Sequence, residues 1–325
     1  MTISAKIIAH SITSWGVDLI TVLARYPRFI HAEELTHRIL SSTPDMIIEI
    51  NDGVMYDRNL SRNASSSRAI PVSRLIDDIL RDTAMPIHWG KNQKGMQADH
   101  ENDALIEHPF ADYIKNPFAQ GRRGSLLSPE QMWIEARDHA IAFARAYDAA
   151  GYHKQVVNRL LEPFAHINVL ITATEWSNFF ELRDHKDAQP EIQTLAKAIR
   201  SAIDDSTPEV LEPGEWHLPF VTDFEKDWLD LETQKKVSVA RCARTSYLTH
   251  DGNQPTVIKD LSLYQDLVGA RPLHASPAEH QATPDKQIRN VSTATTSWEA
   301  AELHGNFQGG WVQNRKVIEK TVLAA

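Results

Sequence analysis

Strong helical patterning crowds into the chain after residue 128, whereas the β-branched runs lie near its start, so strands and helices do not alternate. Folds built from βαβ units need that alternation, and its absence argues against Rossmann and TIM architectures. Ser128-Pro129 supplies an N-cap and a first-turn proline for a helix through Trp133, Ala136, Ala140, Phe143 and Tyr147, which Gly151 can close. Ile192, Leu195, Ala196, Ile199 and Ile203 share one face of a helix over 191–203. Thr222 and Glu225 have capping-box spacing ahead of a helix through Trp228 and Leu231, and another helix runs over 258–268 to Gly269. Earlier, residues 6–14 read as a strand, and 29–40 carry Ala32, Leu35, Ile39 and Leu40 at helical spacing. Residues 46–50 and 54–57 flank Asp52-Gly53 as a hairpin, and Val72, Leu75, Ile76 and Ile79 mark a short amphipathic helix. The class is helix-rich α+β.

With 325 residues, 42% of them hydrophobic, the chain can bury one large or two modest cores. No apolar stretch approaches the roughly 18 residues a bilayer crossing requires, and the start has no apolar signal core, so a cytoplasmic enzyme is expected. One cysteine, Cys242, excludes a disulfide framework and any Cys-rich zinc site. A net charge of −9 opposes a duplex-binding surface, while a small anion held by a few focused arginines remains compatible with it. Residues 88–127 are weakly patterned and include Gly121-Arg-Arg-Gly-Ser125, as in a functional loop or an insertion.

Three clusters concentrate Arg, Asn, Ser and His instead of apolar periodicity. The first joins Thr36-His37-Arg38 with Ser61-Arg-Asn-Ala-Ser-Ser-Ser-Arg68, which suits either a solvated turn or an anion cradle of guanidinium forks and hydroxyls. The second runs from Arg159 and Pro163 through Asn178-Phe179 and Arg183 to Ala188-Gln189-Pro190-Glu191. Arg183 follows apolar residues there and needs an anionic partner, either a ligand or a neighbour such as Glu181 or Asp184. The third is Ala240-Arg-Cys-Ala-Arg-Thr-Ser246 with His274-Ala-Ser-Pro-Ala-Glu-His280. Its two histidines and Glu279 are common at such spacing, so no metal is assigned to them. Cys242 reads as structural.

Together the clusters resemble flavin-dependent thymidylate synthases. His37-Arg38 and Ser41, joined to Asn63, Ser66 and Arg68, are similar to the family signature Arg-His-Arg-x-x-Ser-x-Asn-Glu-x-Ser-x-Arg-Tyr, interrupted here by residues 42–61. A second register, Asp57-Arg58-Asn59-Leu60-Ser61, needs no gap. Arg159 four residues before Pro163, then Asn178-Phe179, Arg183 and Ala188-Gln189-Pro190-Glu191-Ile192, resemble the family's later segment. Cys242-Ala-Arg-Thr-Ser246 and His274 to His280 resemble its N-terminal region, placed here near the C-terminus. The resemblance therefore implies a circularly permuted version of that fold, with helices on a mainly antiparallel sheet. It implies a catalytic domain over 1–284 with insertions at 42–60 and 88–128, and a C-terminal extension over 285–325.

The family uses FAD, reduced by NADPH, and methylenetetrahydrofolate to build a methyl group on C5 of dUMP, and it requires no cysteine nucleophile. By resemblance, Arg68, Arg159 and Arg183 hold the nucleotide, with Glu33 and Gln189 also contacting it. Ser66 polarises the reacting ring, and Arg183 stabilises charge on the pyrimidine. His37, Arg38, Asn63, Asn178, Ser276 and Glu279 would contact FAD. Thr36, Ala64 and Ala69 replace signature Arg, Glu and Tyr, and Glu33 stands where glutamine is frequent, which leaves the base open between dUMP and dCMP. The implied activity is C5 methyl or hydroxymethyl transfer by a homotetramer without membrane or polymeric nucleic-acid partners. Two readings stand beside it: a flavin- or nucleotide-binding protein without turnover, and a nucleic-acid-associated protein using Arg122-Arg123 and Arg315-Lys316.

Overall fold

The computed structural model describes residues 2–35, 60–95, 97–109, 126–245, 256–269, 273–290 and 295–324. The expected 46–57 hairpin, His37 and Arg38 lie outside the described residues. In chain order the elements are β1 Ser4–Thr13, β2 Asp18–Pro27, α1 His31–Leu35, β3 Leu60–Ala64, α2 Val72–Arg81, β4 Ile106–Glu107 and β5 Leu126–Leu127. Then follow α3 Pro129–Ala149, α4 Lys154–Val157, β6 His166–Ala173, α5 Ser177–Arg183, α6 Pro190–Asp204, β7 Glu209–Leu211 and α7 Asp223–Trp228. The last are α8 Leu231–Ala243, α9 Val257–Val268, β8 Ala282–Pro284, β9 Gln287–Asn290, β10 Thr295–Trp298, β11 Trp311–Gln313 and α10 Asn314–Ala324.

β1 and β2 form an antiparallel hairpin whose turn is held by Val17 N donating to Thr13 Oγ1 at 2.9 Å. The principal sheet has the order β3-β6-β2-β1-β7, antiparallel except where β7 lies parallel to β1. Side chains along β2 alternate between its two faces. Ile20, Val22, Ala24 and Tyr26 face a core completed by Ile192, Leu195, Ala196 and Ile199 of α6. Each of those α6 side chains is fully buried, contributing about 1.5–3 kcal/mol for the larger ones. Leu19 and Thr21 face the other way, towards Trp311, Phe307, Leu211 and Ala282 or into a buried polar seam.

In that seam, His217 bonds Ser11 Oγ through Nδ1 at 2.9 Å and Thr21 Oγ1 through Nε2 at 2.8 Å. Thr21 bonds Thr172 at 2.7 Å, and Thr172 bonds His280 Nδ1 at 2.8 Å. Burial holds both imidazoles neutral, pushing His217 and His280 down to about 3. A further core packs α2 and α3 against the 3₁₀ turn Asn158–Phe164, through Leu75, Ile76, Ile79, Ile141, Leu161 and Phe164.

Several expectations hold at the level of single caps. Ser128 and Gln131 form a reciprocal capping box with Pro129 in the first turn of α3, and Thr222 with Glu225 does the same for α7. The helix expected through Trp228 and Leu231 is instead two: α7 ends at Trp228, and Asp230 accepts from Thr233 N to start α8. Phe143 and Tyr147 of α3 lie at 62% and 42% exposure, outside the core that their spacing suggested. Residues expected as an extension pack inward, with β11 paired to β8 and Trp311 fully buried. Gly310, at φ 86°, turns the chain into β11 where a Cβ would run into the Trp298 ring. No described helix is long and apolar enough to cross a membrane.

Candidate functional site

The antiparallel register brings the last residues of β2 and β3 to the same sheet end as the first residues of β6. Pro27 pairs with His166, Ala64 pairs with Val169, and Ser65 N donates to Asn168 O at 2.8 Å. Arg28, the turn Ser67–Ala69 and the turn Asn158–Phe164 therefore converge. Asn158 Nδ2 ties the two turns by donating to Ser67 O at 2.7 Å and Ile70 O at 2.9 Å. Glu162 is the shared carboxylate, accepting from Ser67 Oγ at 2.6 Å and Arg159 Nη1 at 3.0 Å, with Arg28 Nε 3.3 Å away. Arg68 projects from the same turn and is exposed.

Two arginines, Arg28 and Arg159, around one carboxylate leave a cationic excess at the surface, with Arg68 next in sequence to the Ser67 that bonds the same carboxylate, and guanidinium forks match phosphate oxygens two at a time. The structure thus brings Ser66, Arg68 and Arg159 together, with Ser66 preceding the first turn. Arg28 and Glu162 complete the cluster, and no spacing rule marks them in the sequence. Gln189 reaches the same end of the sheet. The Glu191 carboxylate accepts from Ile87 N at 2.8 Å, and nearby Ala84 N donates to Phe164 O at 3.0 Å. Gln189 Oε1 is buried with no hydrogen-bond partner among the described residues.

A buried ion pair lies between α1 and β3. Arg62 Nε donates to Glu34 Oε1 at 2.7 Å, Tyr26 OH donates to Glu34 Oε2 at 3.2 Å, and His31 Nδ1 bonds Tyr26 OH at 2.9 Å. Burial, reinforced by the Glu34 charge, pushes the Tyr26 phenol far up. Burial, then the charges of Arg28 and Arg62, pushes His31 down to about 4. Glu33, the expected nucleotide contact, is exposed one position away, so Glu34 is the carboxylate that turns inward.

The third cluster meets the first along β3. Asn63 Nδ2 donates to Cys242 O at 2.7 Å, so the amide expected on FAD is held by the backbone of α8. Cys242 is fully buried and its thiol is pushed up by burial, in keeping with a structural role. Glu279 pairs with Arg315 of α10 and accepts from Asn306 Nδ2 at 3.3 Å. Burial, only partly offset by Arg315, raises its carboxyl. Ser276 is exposed.

Asn178 and Arg183 lie half-buried on α5. Asp184, one of the partners considered for Arg183, is bonded by Arg200 Nε at 3.0 Å. Beside α5 opens a cleft of about 610 Å³ lined by Asp18, Trp176, Phe180, Glu181 and Arg200. Trp176 Nε1 is buried and has no hydrogen-bond partner among the described residues.

Residues 96–209, about a third of the chain, match the model of the thymidylate synthase complementing protein family. That stretch holds Arg159, Asn178, Arg183 and Gln189 and leaves the first and third clusters outside it. No curated protein matches the chain in sequence. Among solved structures it is similar to the UMP/dUMP methylase PolB from Streptomyces cacaoi bound with 5-Br dUMP, at 15% identity and a TM-score of 0.33, covering 57% of this chain and 66% of that one. The same methylase bound with 5-Br UMP is similar at 12% identity and a TM-score of 0.33, covering 62% and 88%. The chain therefore carries, over residues 96–209, a segment of the thymidylate synthase complementing protein family.

Proposed function

We propose that this protein transfers a one-carbon unit to C5 of a pyrimidine nucleotide monophosphate, dUMP or dCMP, with methylenetetrahydrofolate as donor. The observation that carries the reading is the convergence of Arg28 and Arg159 on Glu162 at one end of the sheet, where Ser67 bonds the same carboxylate and is followed by the exposed Arg68. Arg68 and Arg159 take the phosphate, and Gln189 Oε1, unpartnered among the described residues, accepts from the base. Ser66 polarises the ring beside them, and Arg183 stabilises charge that builds on the pyrimidine. Glu33 lines the rim. The contact of Asn63 with Cys242 supports a permuted order, because it joins the segments that the family has as neighbours. By the same resemblance the working unit is a homotetramer.

The donor's methylene carbon replaces the C5 proton. Reaching a methyl group needs a hydride in addition, whereas a hydroxymethyl group needs only water. The resemblance assigns that hydride to FAD reduced by NADPH. This chain suits a flavin in part: Ser276 is exposed and Asn178 half-buried, while Asn63 and Glu279 have partners within the chain that a flavin contact would have to replace. Those internal partners favour, as a second reading, a nucleotide-binding protein without turnover.

Tritium release from 5-tritiated dUMP and dCMP, measured with methylenetetrahydrofolate, FAD and NADPH, is expected for one of the two nucleotides. Removing Arg68 or Arg159 as alanine is expected to lower kcat/KM by roughly ten- to a hundredfold, the worth of a charge-assisted hydrogen bond. Nucleotide binding without release from either substrate selects the second reading. Flavin absorbance in the purified protein is expected if the product is methyl, and a colourless protein that still releases tritium points to hydroxymethyl.

A further inference from the structure

We propose that His108, Glu135 and His139 form a binding site for a divalent transition-metal ion of the zinc class. One ligand atom from each of the three lies within 4.8 Å of the others. Glu135 and His139 are four residues apart on α3, one helical turn, so both side chains project from the same face. His108 arrives from a separate segment. The pairing of β4 with β5, Glu107 opposite Leu126, sets it down beside the start of α3. The His108 and His139 ring centroids are 6.3 Å apart at 50°. Closing three ligands on a tetrahedral ion with bonds of about 2.0–2.1 Å brings their donor atoms to roughly 3.3 Å, a change that side-chain rotations supply.

The donor set selects the class of ion. Two imidazoles and one carboxylate suit zinc and its first-row neighbours, whereas calcium and magnesium favour oxygen shells. The burial is graded in a useful direction: His108 is 7% exposed and anchored, Glu135 is half-buried and His139 is exposed, which leaves an entry path and an open coordination position. The ion would pin the 97–109 segment to α3. Because α3 packs on the turn Asn158–Phe164, the site braces the scaffold that carries Arg159 without touching the arginines themselves.

The test uses the untagged full chain, dialysed against chelator and titrated with cobalt(II), followed by visible absorption and by competition with zinc. One cobalt per chain is expected, with the intense bands of a low-coordinate ion that zinc displaces. His139→Ala, at an exposed position, and Glu135→Gln are expected to weaken binding roughly a hundredfold or more. His153→Ala, an exposed histidine of the loop after α3, should leave it unchanged. Absence of stoichiometric binding, or binding that His139→Ala does not weaken, overturns the proposal.

Discussion

Replacing Asp260 with alanine is expected to lower the unfolding free energy by about 3–5 kcal/mol, the cost of removing one partner from a buried charge network. Asp260 is fully buried on α9 and accepts from Arg241 Nε at 2.9 Å and Arg244 Nη2 at 2.8 Å. Arg241 lies in the last turn of α8 and Arg244 caps it, with side chains only 15% and 14% exposed, so the substitution takes from Arg244 its buried carboxylate partner and from Arg241 one of two. Arg241 keeps Glu225, whose carboxyl its hydrogen bonds hold down to about 2. It also donates to Phe220 O at 2.7 Å, and Phe220 sits at φ 65°, a left-handed conformation that costs a non-glycine residue about 1–2 kcal/mol. Loosening Arg241 therefore also releases the strained turn that it steadies. Urea unfolding checks this against Glu209→Ala, which breaks the exposed pair with Lys226 and should cost no more than about 1 kcal/mol. Equal losses in the two variants would refute the account.

Acidification from pH 7 to pH 5 is expected to destabilise the protein steeply. His217 and His280 lie in the seam beneath the sheet with folded values near 3, against 6.5 when unfolded. The unfolded chain takes up the protons first, so stability present at and above about pH 6.5 is lost as pH falls towards the folded values. Each group loses about 1.4 kcal/mol per pH unit across that window, or about 2 kcal/mol by pH 5. His31 and His166, both pushed down to about 4 chiefly by burial, act in the same direction. Asp82 and Glu225, with folded values near 2, lose their contributions only at lower pH. Denaturation midpoints at a series of pH values check the slope, and His217→Gln, which keeps a donor and an acceptor, should flatten it. A midpoint that does not move between pH 7 and pH 5 would remove the histidine seam as its cause.

Helices announced themselves in the sequence where a cap and an apolar stripe agreed, as at Ser128 for α3 and Ile192 to Ile199 for α6. β6 did not. Its residues Ile167, Val169, Leu170 and Ile171 are apolar on both faces because β6 lies between β2 and β3, and that erases the alternation by which a half-exposed strand is read. Asp230 was similarly invisible, since an apolar spacing through Trp228 and Leu231 hides a cap between them. In the site, the arginine types were legible and their company was not. Ser67 and Asn158 are 91 positions apart, and only the pairing of β3 with β6 makes them neighbours. Glu33 and Glu34 differ by one position in a five-residue helix, and which of them turns inward depends on where that helix begins.

The burial of Trp311 has a consequence for how the chain is made. Leu19 lies beneath it, and Ser61 accepts from Gln313 across 252 positions of sequence. During synthesis these strands emerge before the residues that roof them. A nascent chain with β1, β2, β3 and β6 already formed would hold Leu19 and the hydroxyls of Thr21, Ser61 and Thr172 open to water until β11 has left the ribosome.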